Sequence, residues 1–308
     1  MEQRIVSHRA IVRRITNVSS GAANWVFLGD SLTEGIGTHR DNYVSELAKL
    51  LRAEDDVGAV HTLRLRQVDP ATFNRFIPTN LAGYLESDTP SDGEVLWLWN
   101  LASEGRFIDD DRRWVPLLRN LAPQRIFIYR GSLESIIRPA ALHDGHWPVW
   151  MPSSWRGLAS MDPRCYFSRT AARHFKQTTI DSLKQMTRLR LLADRPGRPL
   201  YDGDVIQSHY EALIDALPRA GAHIHMLGLI PPDERCFPGS GSHFSAINAR
   251  LRTVAASRNV EFIDWARDVQ RLAATTAWRC RDGFHPNAEG ASLLARILHD
   301  RIATQPLH

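Results

Sequence analysis

The sequence predicts an α/β protein built on a parallel β-sheet, and three observations carry that expectation. Five short apolar runs recur along the 308 residues: WVFL at 25–28, VLWLW at 95–99, RIFIY at 125–129, HIHMLGLI at 223–230 and VEFI at 260–263. Near-continuous apolar runs suit strands buried on both faces. Stretches of helical pattern separate them, the alternation that builds parallel sheets. Finally, the composition is 43% hydrophobic and 23% charged, with a mean hydropathy of −0.30. It excludes wholesale disorder and collagen-like repeats. No run approaches the ~18 uncharged apolar residues of a membrane-spanning helix.

Taken in order, the N-terminal MEQRIVSHRAIVRRITNVSS is basic, and Arg4, Arg9, Arg13 and Arg14 interrupt its apolar residues. It lacks the apolar core of a signal peptide, so a cytoplasmic location is expected. The strand at 25–28 leads to a helix at 41–53. The segment 54–93 reads as an insertion with a further strand at 61–67 (HTLRLRQ). After 95–99 come a helix at 112–121 and the strand at 125–129. A second insertion, 133–203, holds Trp147, Trp150 and Trp155 beside Pro148, Pro152 and Pro163, and runs into a helix at 171–192. A segment that long is either a lid or binding element, or a cover for an exposed side of the sheet. Helices at 204–218, 243–258 and 288–303 flank the last two strands.

Charge and cysteines narrow the function classes. The net charge is +4 and the pI about 9.2, with lysine only at Lys49, Lys176 and Lys184. The arginines are scattered and no nucleic-acid motif accompanies them, so neither a nucleic-acid nor a membrane partner is expected. Cys165, Cys236 and Cys280 stand far apart without CxxC spacing, a set that suits reduced thiols and not a disulfide framework or zinc site.

Two constellations can carry chemistry. In FLGDSLTEG at 27–35, an apolar strand ends in Gly29, and Asp30 and Ser31 stand at a helix start. A serine there is exposed at a strand's carboxyl end, where open α/β sheets place their sites. Equally, Asp30 or Ser31 can simply cap the helix. In RDGFHPNAEG at 281–290, Asp282 and His285 are three apart in a turn before the last helix. That spacing lets the carboxylate accept from one imidazole nitrogen and leaves the other free as a base.

These two ends of the chain resemble the SGNH hydrolases, also called the GDSL esterase/lipase family. Gly29-Asp30-Ser31-Leu32 matches the first block, whose serine is the nucleophile, and Asp282-Gly283-Phe284-His285 matches the last, whose Asp and His complete the triad. Asn100-Leu101-Ala102-Ser103-Glu104-Gly105 fits the Asn-x-x-x-x-Gly of the second block, whose glycine amide helps to hold the oxyanion. The third block, Gly-x-Asn-Asp in the family, departs. In IYRGSLES, Leu133 stands where the oxyanion-binding Asn belongs, and Ser132 or Arg130 is expected to substitute. Losing one such donor costs roughly 2.7–4 kcal/mol, or ~10²–10³ in rate.

The resemblance implies one domain over 1–308: a three-layer α/β/α sandwich with a five-stranded parallel sheet, flavodoxin-like, carrying the aromatic-rich insertion. It implies catalysis by Ser31, Asp282 and His285, an oxyanion hole from the Ser31 and Gly105 amides, and neither metal nor organic cofactor. The expected partner is a small-molecule ester or acyl donor, with Trp147, Trp150 and Trp155 contacting it. Hydrolysis of a small ester such as an O-acetylated sugar or natural product is the first reading. An acyltransferase on the same triad, or a non-catalytic binding module, is the alternative. Outside this frame, His143 and His146 lack a third metal ligand. His223 and His225 share a strand face and read as packing residues. Asp109-Asp110-Asp111 reads as an acidic helix start, and His39 as solvated.

Overall fold

In the computed structural model the parallel sheet has six strands among the described residues: the five expected and one more beside β3. The structure describes residues 23–36, 38, 42–53, 59–64, 95–102, 105, 107–272 and 277–303. The basic N-terminal segment, His39 and all of the 54–93 insertion except 59–64 lie outside these residues.

β1 (Ala23–Gly29) leads into the short α1 (Ser31–Glu34) and then α2 (Tyr43–Arg52). β2 (Ala59–Arg64) and β3 (Val95–Asn100) follow. A 3-10 helix (Ile108–Trp114) continues as α3 (Val115–Leu121) before β4 (Arg125–Tyr129). The second insertion contains α4 (Ser132–Ser135), α5 (Ala141–Asp144) and the 24-residue α6 (Ala171–Asp194). The frame resumes with α7 (Gly203–Ala216), β5 (His223–Leu227), α8 (Ser240–Ser257) and β6 (Glu261–Ile263). It closes with α9 (Trp265–Leu272) and α10 (Ala288–Ala303).

The strand order is β2-β3-β1-β4-β5-β6, and every pairing is parallel. Without β2 this is the expected flavodoxin-like order. The added strand pairs Ala59 with Val95 through Arg64 with Asn100. From β1 the chain passes to the edge strand β2, returns to β3 beside β1, and then crosses to β4 on the other side of β1. A crevice at the carboxyl ends of β1 and β4 is therefore the topological switch point, where such sheets bind ligands.

α2, α9 and α10 pack together as one helical layer, while the 3-10 helix, α7 and α8 form the other. Between them Phe27 stacks on Phe127 and Phe127 on His225, each pair with centroids 4.7 Å apart. His225 thus packs as expected, bonded through Nδ1 to Glu261 at 2.6 Å, whereas His223 is exposed at the start of β5. The sequence reading passed over α9. Only Trp265 and Val269, four apart, mark its apolar stripe, and its buried Asp268 is held by Arg301 at 2.8 Å.

Polar groups hold the second insertion together and, through Arg188, to the frame. Arg138 and Arg198 exchange main-chain hydrogen bonds of 3.0 Å at its base. The buried Arg138 and Arg188 both hold Asp162, at 3.1 and 3.7 Å. Arg188 further donates to the carbonyls of Ile137, at 2.8 Å, and of Cys236.

Candidate active site

β1 delivers Asp30 and Ser31 to the carboxyl edge of the sheet, and the two residues divide the alternatives left open by the sequence. Asp30 is the helix cap: its Oδ1 accepts from the Leu32 amide at 3.0 Å. Ser31 instead turns its Oγ to within 2.8 Å of His285 Nε2. Behind the ring, His285 Nδ1 lies 2.6 Å from Asp282 Oδ2. A carboxylate only accepts, so Nδ1 carries the proton and Nε2 is the acceptor facing Ser31. Asp282 Oδ1 also accepts from the amides of Phe284 and His285, at 2.9 and 3.1 Å, which fixes its orientation. Gly283 makes this turn possible. Its φ is +69°, and an added Cβ would lie 2.7 Å from Asp233 Cβ.

β3 supplies the next contact. Buried Asn100 donates to the Thr33 carbonyl at 2.9 Å and accepts from the Ala102 amide at 3.1 Å, tying its loop to the Ser31 turn. Ser31, Asp282, His285 and Gly105 all line one cavity of about 750 Å³, within the usual size range of small-molecule sites. Sequence-distant residues thus converge at one end of the sheet.

Two expected oxyanion donors are elsewhere engaged, which corrects the sequence reading. Arg130 is fully buried, and its Nε and Nη2 each bond an oxygen of the buried Asp111 at 2.6 Å. Burial alone would push its guanidinium down; Asp111, Asp30 and Glu134 outweigh this and hold it charged, above its ordinary value. Its main chain is held as well, by the Tyr210 hydroxyl. Asp109, Asp110 and Asp111 stand in the first turn of the 3-10 helix, as expected, and Asp111 is in addition a buried ion-pair partner. Ser132, also fully buried, donates its hydroxyl to Asp30 Oδ2 at 2.6 Å. Burial raises the Asp30 carboxyl above its usual range, against the lowering effect of Ser132, Arg130 and the Leu32 amide. Neither Arg130 nor Ser132 lines the cavity; Leu133 does.

The tryptophans are a second correction. None of Trp147, Trp150 and Trp155 lines the cavity. Trp150 is 65% exposed, and the Trp155 ring takes the Lys184 ammonium 5.8 Å from its centroid. The aromatic lining comes instead from Tyr166 and Phe167 of the insertion and Phe237 and Phe284 of the frame. Arg164, Arg169 and Arg173 line it too. No pattern in the sequence singles out Arg164, Tyr166, Phe167 or Arg169, which precede α6 in a segment with neither helical nor strand periodicity.

Among the described residues, one group of three ligand-bearing side chains is close enough to share a metal ion: Cys165, Asp282 and His285, with ligand atoms within 4.8 Å of one another. Two of its members already bond each other, and burial, then Asp282, pushes the Cys165 thiol up to about 12, so it stays protonated. His143 and His146 belong to no such group. No helix among the described residues is long and apolar enough to cross a membrane.

Comparison with known proteins agrees with this frame. Residues 171–293, which hold Asp282 and His285, match the GDSL-like lipase/acylhydrolase family. The fold is similar to that of a lipase/acylhydrolase from Enterococcus faecalis, at 12% identity and a TM-score of 0.52, covering 92% of this chain and 96% of that one. An acetylxylan esterase from Geobacillus stearothermophilus, solved as a catalytic mutant, aligns at 15% identity and a TM-score of 0.48, over 92% and 96% of the two chains. No curated protein matches the sequence. The GDSL motif at the end of β1, the family match over residues 171–293 and the shared α/β/α frame agree, and in these features the chain is similar to the GDSL-like lipase/acylhydrolases.

Proposed function

We propose that the chain is a carboxylic ester hydrolase in which Ser31 is the nucleophile, His285 the general base and Asp282 the group that orients the imidazole. The observation that carries this reading is the unbroken hydrogen-bond relay of 2.8 and 2.6 Å from Ser31 through His285 to Asp282. In this mechanism His285 Nε2 takes the Ser31 proton as Oγ attacks the ester carbonyl. The Ser31 and Gly105 amides receive the negative charge that forms on the carbonyl oxygen. The protonated imidazole then protonates the departing alcohol. Water, deprotonated by the same nitrogen, releases the acid from Ser31. The substrate we propose is a small ester, such as an O-acetyl group on a sugar or natural product. Transfer to an alcohol or amine acceptor would use the same intermediate.

The test is covalent labelling by a fluorophosphonate together with turnover of a model ester. Ser31→Ala should abolish labelling, and Ser31→Ala and His285→Ala should each lower kcat by ~10³-fold or more. Unchanged turnover in Ser31→Ala would overturn the mechanism. Adding an acceptor alcohol and measuring acylated product against free acid separates transfer from hydrolysis.

A further inference from the structure

We propose that the ester this site takes carries an anionic group, a carboxylate or phosphate, recognised by Arg164, Arg169 and Arg173. The inference rests on the esterase reading above and adds the charge of the substrate. It begins with a charge imbalance around the cavity. The lining carboxylates are all engaged: Asp30 by Ser132 and the Leu32 amide, Asp162 by Arg138 and Arg188, and Asp282 by His285. The three lining arginines are not. Their side chains are exposed, at the mouth of the cavity, and form no ion pair or hydrogen bond among the described residues.

Neighbouring groups deepen the imbalance. The Arg281 guanidinium stacks 3.9 Å over the ring of Phe167, another lining residue. The buried Asp181 accepts the main-chain N–H of Arg164 at 3.1 Å, which leaves the Arg164 side chain free of that carboxylate's hydrogen bond. The lining also includes the apolar side chains of Leu133, Ile136, Phe237 and Phe284. Such a cavity suits an ester with an apolar stem and an anion at its far end. Guanidinium groups match carboxylate and phosphate oxygens two at a time. All three arginines come from the 133–203 insertion, so this specificity belongs to the added segment and not to the frame.

The anion can sit on the acyl half or the alcohol half of the ester, and matched pairs distinguish the two. On the acyl side, para-nitrophenyl hydrogen glutarate is compared with para-nitrophenyl pentanoate. On the alcohol side, para-acetoxybenzoate is compared with its methyl ester. The full-length chain should favour the anionic member of at least one pair by ~10-fold or more in kcat/KM, and added salt should erode that preference. The double variant Arg169→Glu/Arg173→Glu, at exposed positions, should reverse it. Equal or better turnover of both neutral esters overturns the proposal while leaving the esterase reading intact, as does an anion preference that survives the charge reversal. Failure to turn over any of the four esters, with no labelling of Ser31, overturns the esterase reading and this inference with it.

Discussion

Leu133 lines the cavity at the position where the third-block resemblance expects an oxyanion-binding asparagine, and the neighbours that might replace that asparagine are committed to other partners. In the proposed mechanism the oxyanion is then held by main-chain donors. Leu133→Asn should raise kcat by about tenfold, a fraction of the ~10²–10³ that such a donor contributes in a site built for it. Ser132→Ala should act mainly on stability: it strips a buried carboxylate of a hydrogen bond, at about 1–3 kcal/mol. Melting temperature and kcat measured on both variants check this, and a ~10²-fold loss of kcat in Ser132→Ala with unchanged stability would contradict it. Glu134, next in the chain, is buried and accepts from the Ile108 amide at 2.7 Å. Burial raises its carboxyl to about 7, from an ordinary 4.5. Between these pH values the folded chain holds a proton that the unfolded chain releases. Its contribution to stability is thus full below about 4.5 and is lost as the pH rises through about 7. Glu134→Gln removes that titration and keeps an oxygen acceptor for Ile108. Its melting temperature should fall less than the wild type's across the same window.

At the scale of elements, the turn from β1 into α1 sets the position of Ser31. Gly29 permits it by close approach: a Cβ there would lie 2.1 Å from Thr33 Oγ1 and 2.3 Å from Thr33 Cβ. Thr33 cannot yield, since its hydroxyl bonds the Tyr43 phenol at 3.2 Å and its carbonyl accepts from Asn100. Gly29→Ala should cost about 1–3 kcal/mol through overpacking. It should also displace Ser31 enough to lower kcat by ~10²-fold, the sensitivity expected of a misplaced reacting group. Thermal unfolding and steady-state kinetics on the purified variant check both figures. This turn was legible in the sequence, because a glycine ending an apolar run before Asp-Ser is a local pattern. The edge strand β2 was half legible: a strand is expected at 61–67, while its place in the sheet depends on pairing with β3.

For the whole molecule, the decisive junction joins the second insertion to the frame. Arg188 holds Asp162 on one side and the carbonyls of Ile137 and Cys236 on the other, with its guanidinium 4.6 Å over the Phe237 ring. Burial lowers its pKa to about 10, still high enough to keep it charged at neutral pH. Arg188→Met should loosen the segment that walls the cavity. The expected signs are a rise in KM of about tenfold, equivalent to ~1.4 kcal/mol, and faster proteolysis within 158–173. Limited proteolysis and KM measured together test this, and a wild-type KM with wild-type protease resistance would contradict it.

The sequence by itself determined the layered α/β fold and the pairing of a GDSL serine with an Asp-x-x-His turn. Those features rest on patterns complete within a few residues: apolar runs, turn chemistry and a three-residue spacing. The tertiary structure alone decided where the polar side chains of the third block and the tryptophans of the insertion point. Arg130 finds its partner 19 residues away in Asp111, and Ser132 finds Asp30 at a separation of 102. A buried polar group must be satisfied by whatever packing brings within reach, and that choice is made between elements, not along the chain.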